Sequence, residues 1–261
     1  MKIYQVDSFT NEKFRGNPAG VCILDKHQDT QWMQNIAVEM NLSETAFVLP
    51  DTDHFRLRWF TPKIEVDICG HATLASAHIL YTTGMVPADQ MVRFQTRSGL
   101  LTVEHNDGWL EMDFPSDPER QVEVPPILVQ ALGGPVVEYA GRSRLFYLLR
   151  LENEQEVRSL QPDFNMLSEI PDSEVIVTAP SSSPEFDFVS RFFAPGVGIN
   201  EDPVTGSAHC TLGPYWQKVL GKNDFTAYQA SRRGGVVKVR VREERTRLVG
   251  QAVTVFHGKL D

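Results

Sequence analysis

The sequence predicts an α+β protein built from two similar domains. Three observations carry this. The chain repeats itself once, near half its length. Its strand-like segments alternate apolar and polar residues between tight turns, and each half holds a helix start that opens into an apolar run.

The repeat comes first. Arg58-Trp59-Phe60-Thr61-Pro62 returns as Arg191-Phe192-Phe193-Ala194-Pro195, and Asp67 returns as Asp202. Cys69-Gly70-His71-Ala72 returns as Thr205-Gly206-Ser207-Ala208. Upstream, Ser43-Glu44 and the strand ending at Pro50 match Ser173-Glu174 and the strand ending at Pro180. Downstream, the stretch from Gln95 to Gly99 faces that from Gln229 to Gly234. Chance struggles to give these matches in one order. Solenoids repeat every 20–50 residues or so, so a single long repeat predicts two domains rather than an array. The predicted domains are 1–117 and 118–261.

In chain order, Ile3 to Phe9 alternates like a half-buried strand. The stretch from Arg15 to Gly20 turns, and Val21 to Leu24 is a second strand. Asp29 or Thr30 caps a helix whose apolar face is Met33, Ile36, Ala37 and Met40. Thr45 to Leu49 and Phe55 to Phe60 are strands, the latter alternating as antiparallel pairing requires. The helix from about His71 to Thr82 is apolar all round, which places it inside other elements. Three strands follow as a meander, and Asn106-Asp107-Gly108 is a hairpin turn. Pro115, Pro118, Pro125 and Pro126 mark a linker. The second half repeats the plan. Its helix runs from about Ser207 to Leu220, with Pro214 a candidate kink, and strands follow at 235–241, 247–250 and 252–256.

Composition sets outer bounds. Of 261 residues, 41% are apolar and 23% charged, ordinary for a globular chain able to bury a core in each half. No run of about 18 apolar residues predicts a membrane span. Met1-Lys2-Ile3-Tyr4 enters a strand directly, so no secretory signal is expected. Three cysteines suit a reducing compartment, and a cytoplasmic location is expected. A net charge of −9 opposes binding to nucleic acid or an anionic membrane, but does not exclude an anionic small substrate.

The chemistry centres on Phe192 to Leu212. This stretch leaves a strand, turns through Pro195, Gly196 and Gly198, carries Glu201 and Asp202, and opens a helix at Thr205-Gly206-Ser207. Such a helix start leaves backbone N–H groups free for a carboxylate. Taken alone, the side chains read more simply as structure. Glu44 is a solvated loop acid or a cap, His71 and Ser207 are caps, and Asp202 is a turn acid. Cys69, His71, His209 and Cys210 fit no common zinc spacing, so no metal is expected. No phosphate loop is present, so no nucleotide cofactor is expected. Arg232-Arg233 and the run from Arg242 to Arg247 read as solvated faces.

Four motifs in order change the odds. Gly16-Asn17-Pro18-Ala19-Gly20, Asn41-Leu42-Ser43-Glu44-Thr45, Asp67-Ile68-Cys69-Gly70-His71-Ala72-Thr73 and Glu201 to Ala208 resemble the phenazine-biosynthesis isomerase (PhzF-like) family across essentially the whole chain. The resemblance implies the diaminopimelate-epimerase-like fold: two pseudo-symmetric domains, each a mostly antiparallel β-barrel around a central α-helix, with the site between them. It also implies that the last strand returns to the first domain and that the protein is a homodimer; the pattern itself shows neither.

By the same resemblance the protein is a cofactor-independent isomerase, moving a proton by acid/base catalysis on a small carboxylate-bearing metabolite. Glu44 is then the acid/base group, and His71, Asp202 and Ser207 hold the substrate and relay protons. Gly70, Thr205, Gly206 and Asn17 bind substrate. Two alternatives stand beside this reading. One is an epimerase or racemase of the same fold, using Glu44 or Cys69. Related two-thiol enzymes need a Cys where Thr205 stands, which disfavours the paired-thiol form. The other is a non-catalytic ligand-binding protein.

Overall fold

The computed structural model describes residues 1–260, and the chain divides into two compact units. The first comprises 1–113 and 249 onward, and the second 114–248. The boundary expected after residue 117 therefore falls inside the second unit. The proline-rich stretch read as a linker is ordered there, because the N–H groups of Ser116 and Asp117 donate to the Glu244 and Cys210 carbonyls.

The first unit opens with β1 (Lys2–Ser8), β2 (Asn17–Ile23), α1 (Thr30–Met40), β3 (Glu44–Pro50), β4 (Phe55–Phe60) and β5 (Glu65–Val66). Then come α2 (Gly70–Thr82), β6 (Val92–Thr96), β7 (Gly99–Asn106) and β8 (Trp109–Pro115). Asp29 caps α1 by accepting from the Trp32 N–H, and Asn41 ends it in the left-handed region at φ 48°. Asp107 and Gly108 both have positive φ, 49° and 78°, so β7 and β8 meet through a type I′ turn.

The second unit contains β9 (Arg120–Gln121), α3 (Pro126–Ala131), β10 (Tyr139–Arg142), β11 (Tyr147–Arg150), α4 (Glu154–Ser159) and α5 (Phe164–Ser168). It continues with β12 (Val175–Pro180), β13 (Phe188–Ala194), β14 (Ile199–Glu201), α6 (Gly206–Leu220), β15 (Asp224–Gln229) and β16 (Gly235–Arg242). After β17 (Arg245–Gly250), the last strand β18 (Ala252–Lys259) pairs antiparallel with β1.

The same order of pairing occurs in both units. An antiparallel pair, β1–β2 or β10–β11, leads by a helical crossover to a parallel pair, β2–β3 or β11–β12. Antiparallel β3–β4 or β12–β13 follows, then a short strand, then a second crossover through α2 or α6 to parallel β4–β6 or β13–β15. One side-chain device recurs as well. Arg58 grips Glu65 through Nε and Nη2, both at 2.7 Å, and lies over Phe60; Arg191 grips Glu201 at 2.7 and 3.0 Å and lies over Phe193.

Closed barrels are not formed. Closure requires the outermost strands of a ladder to exchange hydrogen bonds. Among the described pairings none joins β18 to β8 or β9 to β16. At these ends β9 is only two residues long, and residues 256–259 of β18 are exposed. The sheet is also more mixed than a meander, since parallel pairs stand beside the antiparallel ones.

In the first unit α2 touches β1, β2, β3 and β18 and is buried along nearly its whole length. The hydroxyls of Thr73 and Ser76 donate back to the Cys69 and Ala72 carbonyls, so polar side chains are satisfied inside an apolar helix. In the second unit a Cβ on Gly213 of α6 would stand 2.9 Å from Val239 and 3.0 Å from Val241, so glycine permits this approach to β16.

Candidate active site

Glu44 is the first residue of β3, directly after the turn that leaves α1. The parallel β2–β3 pairing sets it beside Ala19 and points its side chain to the α2 side of the sheet. His71 is the second residue of α2. Glu44 Oε2 and His71 Nε2 lie 3.2 Å apart, with side chains 12% and 6% exposed. Both atoms are buried and neither has an aligned hydrogen-bond partner. They therefore face each other as an acid–imidazole pair, charged on both sides only when the ring is protonated, with directional bonding capacity left over.

Three neighbours hold His71, one at its backbone and two at its ring. Ser8 donates to the His71 carbonyl at 2.8 Å. The fully buried Asn17 amide nitrogen stands 3.2 Å from Nδ1, and Ser43 donates to the Asn17 side-chain Oδ1 at 3.4 Å. The Cys69 sulfur lies 3.5 Å from Nδ1. With Asn17 donating, Nδ1 accepts and the ring proton sits on Nε2, facing Glu44. Burial opposes the charged ring, but the Glu44 carboxylate 3.2 Å from Nε2 favours it and holds His71 above its ordinary pKa. Protonating Nδ1 requires the Asn17 amide to turn over and present its oxygen. Cys69 behaves oppositely. Burial, then the Glu44 charge, pushes its thiol pKa up, which keeps the sulfur protonated.

In the second unit the groups form a tight network. Thr205 is the N-cap residue of α6, yet its hydroxyl donates to Asp202 Oδ2 at 2.6 Å rather than to the helix. Its backbone N–H donates to Gln229 Oε1 at 2.8 Å, and Gln229 Nε2 donates to the Asp202 carbonyl at 2.8 Å. Gln229 is completely buried and holds both residues. Sequence reasoning gave it no role, although the repeat that aligns it with Gln95 marked the position. Gly206 begins α6 and Ser207 follows it, half-buried. His209 sits one turn further in. It is fully buried, its Nδ1 donates to the Thr205 carbonyl at 2.8 Å, and burial lowers its pKa to about 4.

Cys69 and Thr205 are thus N-cap residues of α2 and α6, and neither side chain caps its helix. At such starts the first-turn N–H groups have no carbonyl partner within the helix and can turn to an anion. Asn17, expected to touch substrate, places its amide against His71.

Of the four candidate metal ligands, Cys69 and His71 fall in one compact group with Glu44, their ligand atoms within 4.8 Å of one another. The sulfur lies against Nδ1 and the carboxylate against Nε2. The lone pairs of these two nitrogens diverge, so one ion bound to the imidazole would meet only one of the other two groups. The arrangement suits proton transfer better than metal binding.

Two repeated helix starts and a buried acid–imidazole pair define an enzyme-like α+β protein. The chain belongs to the phenazine biosynthesis-like family, PhzC-PhzF, whose sequence model matches residues 6–258. It is 53% identical to a Halalkalibacterium halodurans protein named an uncharacterized isomerase, over 99% of this chain and 97% of that one. It is 46% identical to a Pseudomonas aeruginosa protein of the same description, over 100% and 98%. A crystal structure of a phenazine biosynthesis protein PhzF family member from Enterococcus faecalis is 41% identical, with a TM-score of 0.94 covering 98% and 97% of the two chains. Among the described residues no helix is long and apolar enough to cross a membrane.

Proposed function

We propose that the protein is a cofactor-independent isomerase that moves a proton on a small carboxylate-bearing metabolite. One observation carries this reading: Glu44 and His71 face each other at 3.2 Å, buried and without aligned partners. A carboxylate held this way takes a proton from a carbon acid, and the electron pair left behind moves into the neighbouring bond. The proton then returns at another carbon, shifting the double bond. His71, carrying a proton on Nε2, stands where it can share that proton with Glu44. Asn17 positions His71. Asp202 and Ser207 hold polar groups of the substrate, and the helix starts at Gly70 and at Thr205-Gly206 offer N–H groups to its carboxylate.

The family names of the relatives support an isomerase, and the raised pKa of Cys69 favours Glu44 over the thiol as base. The same reading takes the two units as pseudo-symmetric halves, each with a central helix, and the protein as a cytoplasmic homodimer. Its support is the repeated pairing order together with the family resemblance.

The test is exchange of carbon-bound hydrogen in deuterated water, followed by NMR across a set of small unsaturated and amino carboxylates. Deuterium is expected at two carbons of a turned-over compound. Exchange at one carbon with inversion of its configuration would indicate an epimerase instead, and no exchange with any compound would indicate a binding protein.

A further inference from the structure

The bonds among Asp202, Thr205 and Gln229 run in one direction. Gln229 is the last residue of β15 and fully buried. Its Oε1 accepts at 2.8 Å from the Thr205 backbone N–H, a group that only donates. Its Nε2 donates at 2.8 Å to the Asp202 backbone carbonyl, a group that only accepts. Two partners of fixed polarity decide which end of the amide is which. The same Nε2 stands 3.2 Å from Thr205 Oγ1. That hydroxyl therefore accepts from Gln229 and turns its one proton to Asp202 Oδ2, at 2.6 Å. All three residues are buried, where such a chain of bonds is polarised rather than exchanged with water.

The other half of the repeat lacks this chain. Cys69 stands where Thr205 does, so the hydroxyl is missing. Gln95 is exposed and donates to the Thr96 carbonyl at 3.2 Å. Asp67, the counterpart of Asp202, has a side chain 71% exposed and 3.7 Å from Arg97. One anchor is common to both halves. Ser98 donates to the Asp67 carbonyl at 2.6 Å, and Ser231 to the Pro203 carbonyl at 2.7 Å. Pinning the loop before the helix is thus achieved without the Gln–Thr pair. What the pair adds is a buried acid whose oxygen is supplied with a proton from behind.

We propose that Gln229 is a positioning residue for Asp202. Through Thr205 it turns a proton onto Oδ2, so Asp202 acts as an acceptor that grips a donor group of the substrate and passes no proton. Proton transfer is left to Glu44 and His71. The direction of the bonds stands on its own, and the role given to Asp202 rests on the isomerase reading.

Neutron diffraction from a deuterium-exchanged crystal of the full chain tests the direction without substrate. A deuteron is expected on Thr205 Oγ1, aimed at Asp202. A deuteron on Asp202 aimed at Thr205 would overturn the proposal. Kinetics test the role, on a compound that passes the exchange assay. Gln229→Met, similar in length but without donor or acceptor, should raise KM roughly tenfold or more and leave kcat within about threefold. Thr205→Val should do the same, whereas Thr205→Ser, which keeps the hydroxyl, should stay near the parent chain. If Gln229→Met fails to fold, the two Thr205 variants decide. A merely structural role would lower kcat through the folded fraction and leave KM in place, and a proton relay through Asp202 would also lower kcat at unchanged KM. An unchanged KM in Gln229→Met and Thr205→Val therefore overturns the proposal. If no compound exchanges, the isomerase reading fails, and the neutron map still decides the direction.

Discussion

The Asn17 amide nitrogen stands 3.2 Å from His71 Nδ1, so one buried side chain decides which ring nitrogen carries its proton toward Glu44. Asn17→Ala removes that control without removing an acid or a base. Turnover is expected to fall by roughly ten- to a hundredfold, part of the 10²–10⁴ that acid–base catalysis supplies. Asn17→Asp places a carboxylate against Nδ1 and favours the doubly protonated ring, so the alkaline limb of the pH–rate profile should move upward. A purely structural role for Asn17 would lower stability and leave the pH profile where it is.

The metal prediction follows from the divergent nitrogens of His71. Elemental analysis of the purified protein is expected to find no stoichiometric metal, and chelator treatment should leave melting temperature and exchange activity unchanged. One tightly bound zinc per chain would contradict this and direct attention to Glu44, Cys69 and His71.

Much of the fold can be read from local signals. The Asp29 cap, the Asn106-Asp107-Gly108 turn and the enclosure of α2 follow from residue chemistry within a few positions. Strand direction does not. Alternation says that a strand is half-buried, not which way its neighbour runs, so the parallel β4–β6 and β13–β15 pairs were invisible beside the antiparallel ones. The region from α3 to α5 was also opaque. Its helices have five or six residues and its strands four or fewer, too short for periodicity to separate them from loops. At the site, Glu44 and His71 belong to separate motifs, and the packing of α2 against β2 and β3 brings their side chains together. Gln229 was overlooked because a buried amide that bonds backbone groups of two other residues leaves no local pattern.

The buried His209 ties stability to pH. Its folded pKa is about 4, below an unfolded value near 6.5, so below 6.5 the unfolded chain binds the extra proton. Stability is therefore complete above pH 6.5 and declines as pH falls toward 4. The gap amounts to roughly 3 kcal/mol. His209→Asn keeps a donor toward the Thr205 carbonyl but does not titrate. Urea unfolding at pH 7 and pH 4.5 should show a smaller loss in the variant than in the parent chain. Equal losses would remove His209 as the cause.

The choice of base is the deciding prediction. Glu44→Gln preserves size and hydrogen-bonding reach but cannot accept a proton from carbon. Ligand binding and melting temperature should stay near those of the parent chain, while the rate constant for proton transfer falls by about 10²–10⁴-fold, in kcat rather than KM. Cys69→Ser should cost much less, because a thiol kept protonated by burial and by the Glu44 charge is already a poor base. If the thiol were the base, the order would invert and Cys69→Ser would be the crippling change. Loss of the Glu44 charge also removes one of the influences raising His71, so any residual activity in Glu44→Gln should show its upper pH limit shifted downward. Measuring both variants on one turned-over substrate separates the two bases, and near-parental turnover by Glu44→Gln would eliminate the carboxylate mechanism.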